Sequence, residues 1–379
     1  MSTYSLIAAD LLTGRVITEL PFAELEYNNA INTAGELGVS IRLDGLDDSV
    51  VQSITSATVP ARSCLYVERG GVLVWGGPIW GRQYSNTDRV LHLDGAEFLS
   101  YFDKCFLTDT LAFPASCDYS QVARALVQYA QDKATNADLD IVAAAPLFKT
   151  NGKTTNQGPT YYYGDEGTSV LKHLQDLAGL DNGPDLRVHV RYDGTSIVRE
   201  LHVGNDFNSN RAGTTFAVSR NVLQVGVDAD GLDVTEDGWA VGNVSYQIGT
   251  PPEGSADGTR APVASYALSS SWVEGWPRLE QVEARNDVSD TTQLAAFATS
   301  ATMAYALPTI ALTTKVTIRE SNFSTYDVGD EVRIDVEESQ DPRWPNGLSV
   351  YGRIASRKVQ VSGGKETVEA TVVTEGVTV

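Results

Sequence analysis

The sequence predicts a mixed, β-rich α+β protein in which two small antiparallel β-barrel modules flank an α+β insert. Short apolar–polar alternating runs, punctuated by Gly, Asp and Asn, fill residues 1–100 and return from about residue 213. Between them the period switches from two to about 3.6 in two separate stretches. The chain has 379 residues, more than one ordinary core accommodates at roughly 150 residues per domain. The expected divisions are 1–100 for the N-terminal barrel, 101–212 for an α+β domain with two helices, and 213–379 for a second barrel-like domain. That last domain carries one helix and a closing cluster of strands.

Residues 1–100 read as all-β. "TYSLIAADLLTGRVITELPF" reads as two strands around a Thr13-Gly14 turn, and "LGVSIRL", "SCLYVERG", "GVLVWGG", "IWGRQY" and "RVLHLDG" follow as short strands. After the aromatic stretch "EFLSYF", the spacing of Val122, Leu126, Val127 and Ala130 predicts a helix over 120–133, capped by Asp118 or Ser120. A second helix is expected over 168–178, with Leu171, Leu174, Leu177 and Ala178 inward and Gly179 as a left-handed cap. "LRVHVRYDG" and "IVRELHVGN" predict a hairpin around Asp193-Gly194.

Strands are then expected in "TTFAVSR", "NVLQVGVDAD" and "WAVGNVSYQIG", with a surface loop at "TPPEGSADGTRAPV". A helix over 289–306 would place Leu294, Phe297, Ala301 and Tyr305 on one face and stop at Pro308. "TIALTTKVTIRE", "DEVRIDV", "LSVYGRIASRKVQVS" and "ETVEATVVTE" close the chain as strands.

The formal net charge of −21 disfavours a protein that grips phosphate backbones, which needs clustered Lys and Arg. An acidic wall that lets DNA slide past remains compatible with it. No run of about 18 apolar residues suggests a membrane span. The start lacks a basic segment before an apolar block, so no signal peptide is expected and the chain reads as soluble and cytoplasmically folded. Cys64, Cys105 and Cys117 form an odd set without CxxC spacing, which points to buried thiols rather than disulfides or zinc.

Catalytic patterns are absent. The four histidines, His92, His173, His189 and His202, show no metal-ligand spacing, and only His189 and His202 fall on one hairpin. "DADGLDVTEDG" resembles a calcium loop, but Gly231 is fourth and Trp239 occupies the twelfth place, where a Glu is required. A solvated acidic turn is the expectation there. Acidic pairs such as Asp327/Asp330 or Asp335/Glu337 are expected by chance among 49 acidic residues. No enzyme, cofactor or metal is expected.

The tryptophans are the remaining signal. Trp75, Trp80, Trp239, Trp272, Trp276 and Trp344 fit core packing or protein contacts better than sugar stacking. Trp75, Trp80, Trp272 and Trp276 are the candidate contact residues. The first two flank Gly76-Gly77-Pro78 in a hairpin, where a bend or bulge is expected. The last two share the loop "SSSWVEGWPRLE".

Taken in order, "ELPFAELEYNNAINTAGELGVSIRL", "CLYVERGGVLVWGGPIWGR" and "VLHLDGAEFLSYF" resemble the N-terminal domain of tailed-phage baseplate hub proteins, including the tail-associated minor tail proteins of long-tailed phages. "YDVGDEVRIDV" and "GLSVYGRIASRKVQVSGGKETVEATVV" resemble the last domain of such hubs. The resemblance spans most of the chain, and its weight lies in the order of the motifs.

The resemblance implies a homotrimeric ring at the tail tip, assembled in the host cytoplasm, with two barrels per subunit offering pseudo-six-fold symmetry to a hexameric ring. Implied partners are the distal tail protein ring, the tape measure protein and other tip or receptor-binding proteins, with DNA only in transit through the lumen. The chain stops at Val379 just after its last predicted strand, so a hub without a built-in hydrolase is expected. The alternative is a carbohydrate- or receptor-binding tail protein using its Trp-rich loops. A peptidoglycan-cleaving enzyme and a generic β-rich assembly protein are weaker readings.

Overall fold

The computed structural model describes residues 3–114, 117–143, 161–164, 167–179, 183–204, 222–239, 241–252, 255–256, 258–268, 274–285, 288–316 and 326–373. In chain order the N-terminal part comprises β1 (Tyr4–Asp10), β2 (Val16–Leu20), β3 (Glu24–Ala30), β4 (Glu36–Arg42), α1 (Asp48–Ala57), β5 (Ser63–Arg69), β6 (Val72–Ser85) and β7 (Val90–Ala96). A 3-10 helix, Phe98–Lys104, leads to β8 (Leu111–Ala112), α2 (Tyr119–Asp132), β9 (Ile141–Ala143), β10 (Tyr161–Tyr162), α3 (Val170–Ala178), β11 (Asp185–Asp193) and β12 (Ser196–Gly204). The remainder contains β13 (Val222–Gln224), β14 (Ala229–Asp237), β15 (Val244–Ile248), β16 (Val263–Ala267), β17 (Glu280–Ala284) and α4 (Thr291–Tyr305). It ends with β18 (Thr309–Val316), β19 (Glu331–Val336), β20 (Leu348–Ser362) and β21 (Lys365–Val373).

The protein is β-rich with helices, as expected, but its two β modules are one sheet. Thirteen strands run β14-β18-β21-β20-β3-β4-β7-β6-β5-β1-β2, with β19 and then β13 branching from β20. The join is β20, whose first half pairs with β19 and whose second half pairs with β3, from Ser356↔Ala30 to Ser362↔Glu24. A register shift between Ile354 and Ser356 bends the strand where it changes partner.

Closed barrels are therefore a correction. Among the described residues the sheet path ends at β14 and β2, and β13 meets β14 only at the isolated Val225–Ala229 bridge. The physical reason is that β3 gives its free edge to β20 instead of closing against β2.

The Trp75–Trp80 segment is the second bend. The first half of β6 pairs with β5 (Val67↔Trp75, Cys64↔Pro78) and the second half with β7 (Ile79↔Gly95, Ser85↔Val90), with a register shift at Ile79/Gly81. What reads as two strands is thus one strand turning a corner. Glycine is needed there for close approach. A Cβ on Gly77 would lie 1.9 Å from the Ala96 carbonyl oxygen, and one on Gly76 would meet the Tyr66 ring at 2.8 Å.

Three apolar clusters fill the structure. One joins Leu6, Tyr27, Ile41, Trp75 and Leu93 to Val359 and Val368 of the last hairpin. A second packs Phe98, Phe102, Tyr119, Leu126, Leu174, Val188 and Leu201 against Cys64 and Tyr66. A third holds Leu223, Val332, Ile334, Ile354 and Val372.

Several local expectations need correction. Residues 1–100 are not all-β: α1 forms because Ile54 and Ala57 bury one stripe of an otherwise polar, β-branched segment. Gly179 is right-handed (φ −76°), with its N–H donating to the Gln175 carbonyl, so a left-handed cap is not required. The acidic stretch 228–237 is mostly strand β14, bulged between Asp230 and Asp233, rather than a turn. In α4 the buried residues include Leu294, Phe297, Ala298 and Thr302, whereas Tyr305 is exposed. "TTFAVSR" lies outside the described residues.

A Gly77→Ala variant should unfold at a clearly lower temperature than the parent, by roughly 1–3 kcal/mol of overpacking. Gly38→Ala, in a strand position with no atom within 4 Å of the added Cβ, should leave the melting midpoint nearly unchanged. Thermal melts of the two variants side by side check the corner.

Candidate assembly junction

The polar groups of the molecule converge where β3, β11 and β20 meet. From the bend of β20, Arg353 and Arg357 point inward, and both are buried. Arg353 ion-pairs with Asp185 at the start of β11 and donates from Nε to the Gly329 carbonyl at 2.9 Å. Arg357 donates to the Tyr326 carbonyl at 3.1 Å and lies 3.4 Å from Asp327. From β11, Arg187 donates to the other Asp327 oxygen at 2.9 Å and to the Val328 carbonyl at 3.1 Å.

The N-terminal part grips the same strand through Asn32, which adopts φ +62°. Its main-chain N–H donates to the Leu186 carbonyl and its Oδ1 accepts from the Leu186 N–H, both at 2.8 Å, while its Nδ2 donates to Asp185 at 2.9 Å. Glu97, just after β7, accepts from Asn29 Nδ2 at 2.9 Å and from the Gly35 N–H at 2.8 Å. Burial pushes the Glu97 carboxyl up to about 7 even against these donors. A cavity of about 250 Å³ remains between Asn29, Trp75, Glu97, Arg187, His189 and Asp327.

A second anchor ties the insert down. The buried Arg199 of β12 donates to Tyr66 Oη and to the Leu11 and Leu139 carbonyls at 2.7–2.9 Å, with its guanidinium 4.4 Å from the Phe98 ring centre.

His189 and His202 do come together, with ring centres 5.0 Å apart. Arg187, Arg191, Glu200 and Asp327 surround them. Burial, reinforced by Arg187, pushes His189 down to about 4 and lowers His202 as well. Burial alone would raise the Asp327 carboxyl, but Arg187 and Arg357 together outweigh it and hold the group well below the usual carboxylate range. Among the described residues no group of three His, Cys, Asp or Glu side chains could hold a metal ion. These ion pairs and hydrogen bonds tie β3, β11 and β20 together in one register.

The candidate contact tryptophans separate. Trp75 is 1% exposed, with its indole N–H donating to the Asn28 carbonyl at 3.2 Å, so it is a core residue and not a surface contact. Trp80 is half-buried on a cleft beside Glu26, Asn28 and Lys358 and donates to Ser100 Oγ at 2.8 Å. Trp276 is half-buried, and Trp272 lies outside the described residues. Trp239, passed over as a contact, is 98% exposed. Asp327, read from the sequence as one of many chance acidic neighbours, is here paired with Arg187 and Arg357, and the sequence does not single out Arg353, Arg357 or Asp185.

No protein-family model matches the sequence, and neither does any curated protein. Solved structures do match in shape. A tail protein from Neisseria meningitidis superposes with a TM-score of 0.58 at 13% identity, covering 99% of this chain and 97% of that one. The fold is that of a phage tail protein. The 43 kDa tail protein of prophage MuSo2 from Shewanella oneidensis matches at TM-score 0.56 and 10% identity, over 98% of both chains. A chain of the Francisella PdpA–VgrG complex matches at 0.53 and 8% identity, over 99% of this chain and 58% of that one.

Asp327→Asn should lower stability near neutral pH by roughly 2–4 kcal/mol, because two arginines lose their carboxylate. The depressed carboxyl contributes fully above its unfolded value near 4 and loses that contribution only as pH falls towards its folded value, so the gap between parent and variant should be narrower at pH 3 than at pH 7. Denaturation at pH 7 and pH 3 checks both halves.

For the histidines the unfolded chain takes up protons near 6.5, while the folded chain resists to about 4 at His189. Stability should therefore fall as pH drops from 6.5 towards 4, at up to about 1.4 kcal/mol per pH unit per histidine. His189→Gln should flatten that slope in a pH series of thermal melts.

Proposed function

We propose that this protein is the structural hub of a phage tail tip. In this reading three copies form a ring that adapts a six-fold tail tube and distal tail ring to a three-fold tip and lines the DNA channel. The observation that carries it is the end-to-end match to a tail protein from Neisseria meningitidis and a prophage tail protein from Shewanella oneidensis, over 97–99% of all chains compared. This chain spans 58% of the chain of the Francisella PdpA–VgrG complex that it resembles in fold.

The partners are then the distal tail protein, the tape measure protein and the receptor-binding proteins of the tip, within a virion. DNA passes without being held, which suits a chain of net charge −21. The proposed division is 1–100, 101–212 and 213–379, with the first and last parts both contributing strands to the one large sheet. Among the described residues no helix is long and apolar enough to cross a membrane. No catalytic role is proposed.

Class-averaged electron microscopy of the purified chain, with a native mass on the same sample, tests the reading. The expected result is a three-fold ring with six lobes and an open centre. The exposed Trp239 favours one competing reading, a saccharide- or receptor-binding tip protein. A monomer at every concentration, with saccharide-dependent Trp quenching abolished by Trp239→Ala, Trp272→Ala or Trp276→Ala, would overturn the hub in its favour.

A further inference from the structure

The sheet β16-β15-β17 is built inside out. On the side turned to α4 it buries Ser245 and Gln247, in register with Tyr266 and Ala264. These polar groups satisfy one another: Gln247 Nε2 donates to Ser245 Oγ at 3.0 Å, and Arg285 Nε donates to Gln247 Oε1 at 3.0 Å. Strand alternation puts Tyr246, Ile248, Val263, Ser265, Val282 and Ala284 on the opposite face, together with Glu280, which pairs with Arg278 while Arg278 also donates to Tyr246 Oη at 2.9 Å. There Val263 is 53% and Val282 65% exposed. A sheet with one solvated face puts its β-branched residues inward, so this face is arranged to be covered.

Helix α4 repeats the anomaly from the other side of the same layer. Its sequence, TTQLAAFATSATMAY, contains no charged residue. Leu294, Phe297, Ala298 and Thr302 are buried, while Thr292, Ala295 and Met303 are exposed, Met303 at 60%. Surface helices ordinarily carry charge on the outward side. In a chain of net charge −21, two copies repel wherever carboxylates face each other. A face without net charge on each partner is what self-contact requires, and one layer supplies two of them back to back, since α4 has no charged residue and the sheet face pairs its Glu280 with Arg278. A flat β-branched face is also the usual seat for a helix.

We infer that copies of this chain associate head to tail, the exposed side of α4 in one subunit packing on the outer face of β16-β15-β17 in the next. The contact is heterologous, so it closes into a ring when the rotation allows. It rests on the self-assembly proposed above and names the surface that performs it.

Two double variants test it: Val263→Glu with Val282→Glu on the sheet face, and Ala295→Glu with Met303→Glu on the helix face. All four positions are exposed, and each double variant should melt like the parent. The parent should sediment as an oligomer at micromolar concentration and each variant as a monomer. Mixed in equal amounts, the variants should form a one-to-one dimer, because each retains the face the other lacks. A ring of unchanged mass in either variant would overturn this contact while leaving the hub reading intact. A parent that stays monomeric would overturn the contact and count against the ring as well.

Discussion

The architecture depends on one strand having two sets of neighbours. Beyond its bend β20 leaves β19 and takes β3, and two buried arginines flank the bend, Arg353 before it and Arg357 after it. Burying a guanidinium is costly unless its donors are met. The groups that meet them come from elsewhere in the chain: Asp185 from the insert, and the Tyr326 and Gly329 carbonyls with Asp327 from the turn before β19. None of these can move without leaving a buried charge exposed to an apolar wall. An apolar junction of equal size would hold the parts together but would fix their register less tightly. The ionic network trades some stability for a single arrangement of strands that are more than 300 residues apart in sequence.

The same constraint reaches the β6 corner. Asn29 of β3 links it to the junction: its amide donates both to Glu97 and to the Val74 carbonyl of β6. Glu97 directly follows Ala96, whose carbonyl occupies the space a side chain at residue 77 would need. The bend in β6 and the bend in β20 are therefore set against each other through β3. This is what the Trp75–Trp80 hairpin is for. Trp75 fills the inside of the corner, while Trp80, at the register shift itself, lines a cleft.

Much of this fold was legible because local pattern decides it. The period of α2, the Asp118 cap, the Asp193-Gly194 hairpin and all fifteen residues of β20 follow from side chains within a few positions of one another. What escaped is what local pattern cannot carry. A β3–β20 pairing leaves no trace in either segment, and so two barrels were expected where one open sheet exists. Helix α1, with its Val, Ile, Thr and Ser, carries the composition of a strand and is helical because tertiary packing takes Ile54 and Ala57. The candidate tryptophans stand out by their place in a hairpin and in one loop, and such local placement does not separate a core residue such as Trp75 from a surface one. Arg353, Arg357, Asp185 and Asp327 are ordinary surface residue types, and only the converging backbone makes them a site.

Charge is thus distributed against the usual order. Arginines and carboxylates sit at the centre, while an uncharged helix and a β-branched sheet face lie at the surface. A monomer working alone gains nothing from this, since exposed apolar area and buried ions both work against its stability. For a subunit of an assembly the arrangement is consistent. The buried network keeps the subunit rigid, so that a contact made at one face is felt as a fixed geometry at the other. Under the proposed head-to-tail contact, the faces without net charge let like-charged copies meet while the remaining carboxylates discourage contact elsewhere. The −21 charge then selects the surface of that proposed contact and, in the proposed hub, keeps the chain from holding DNA.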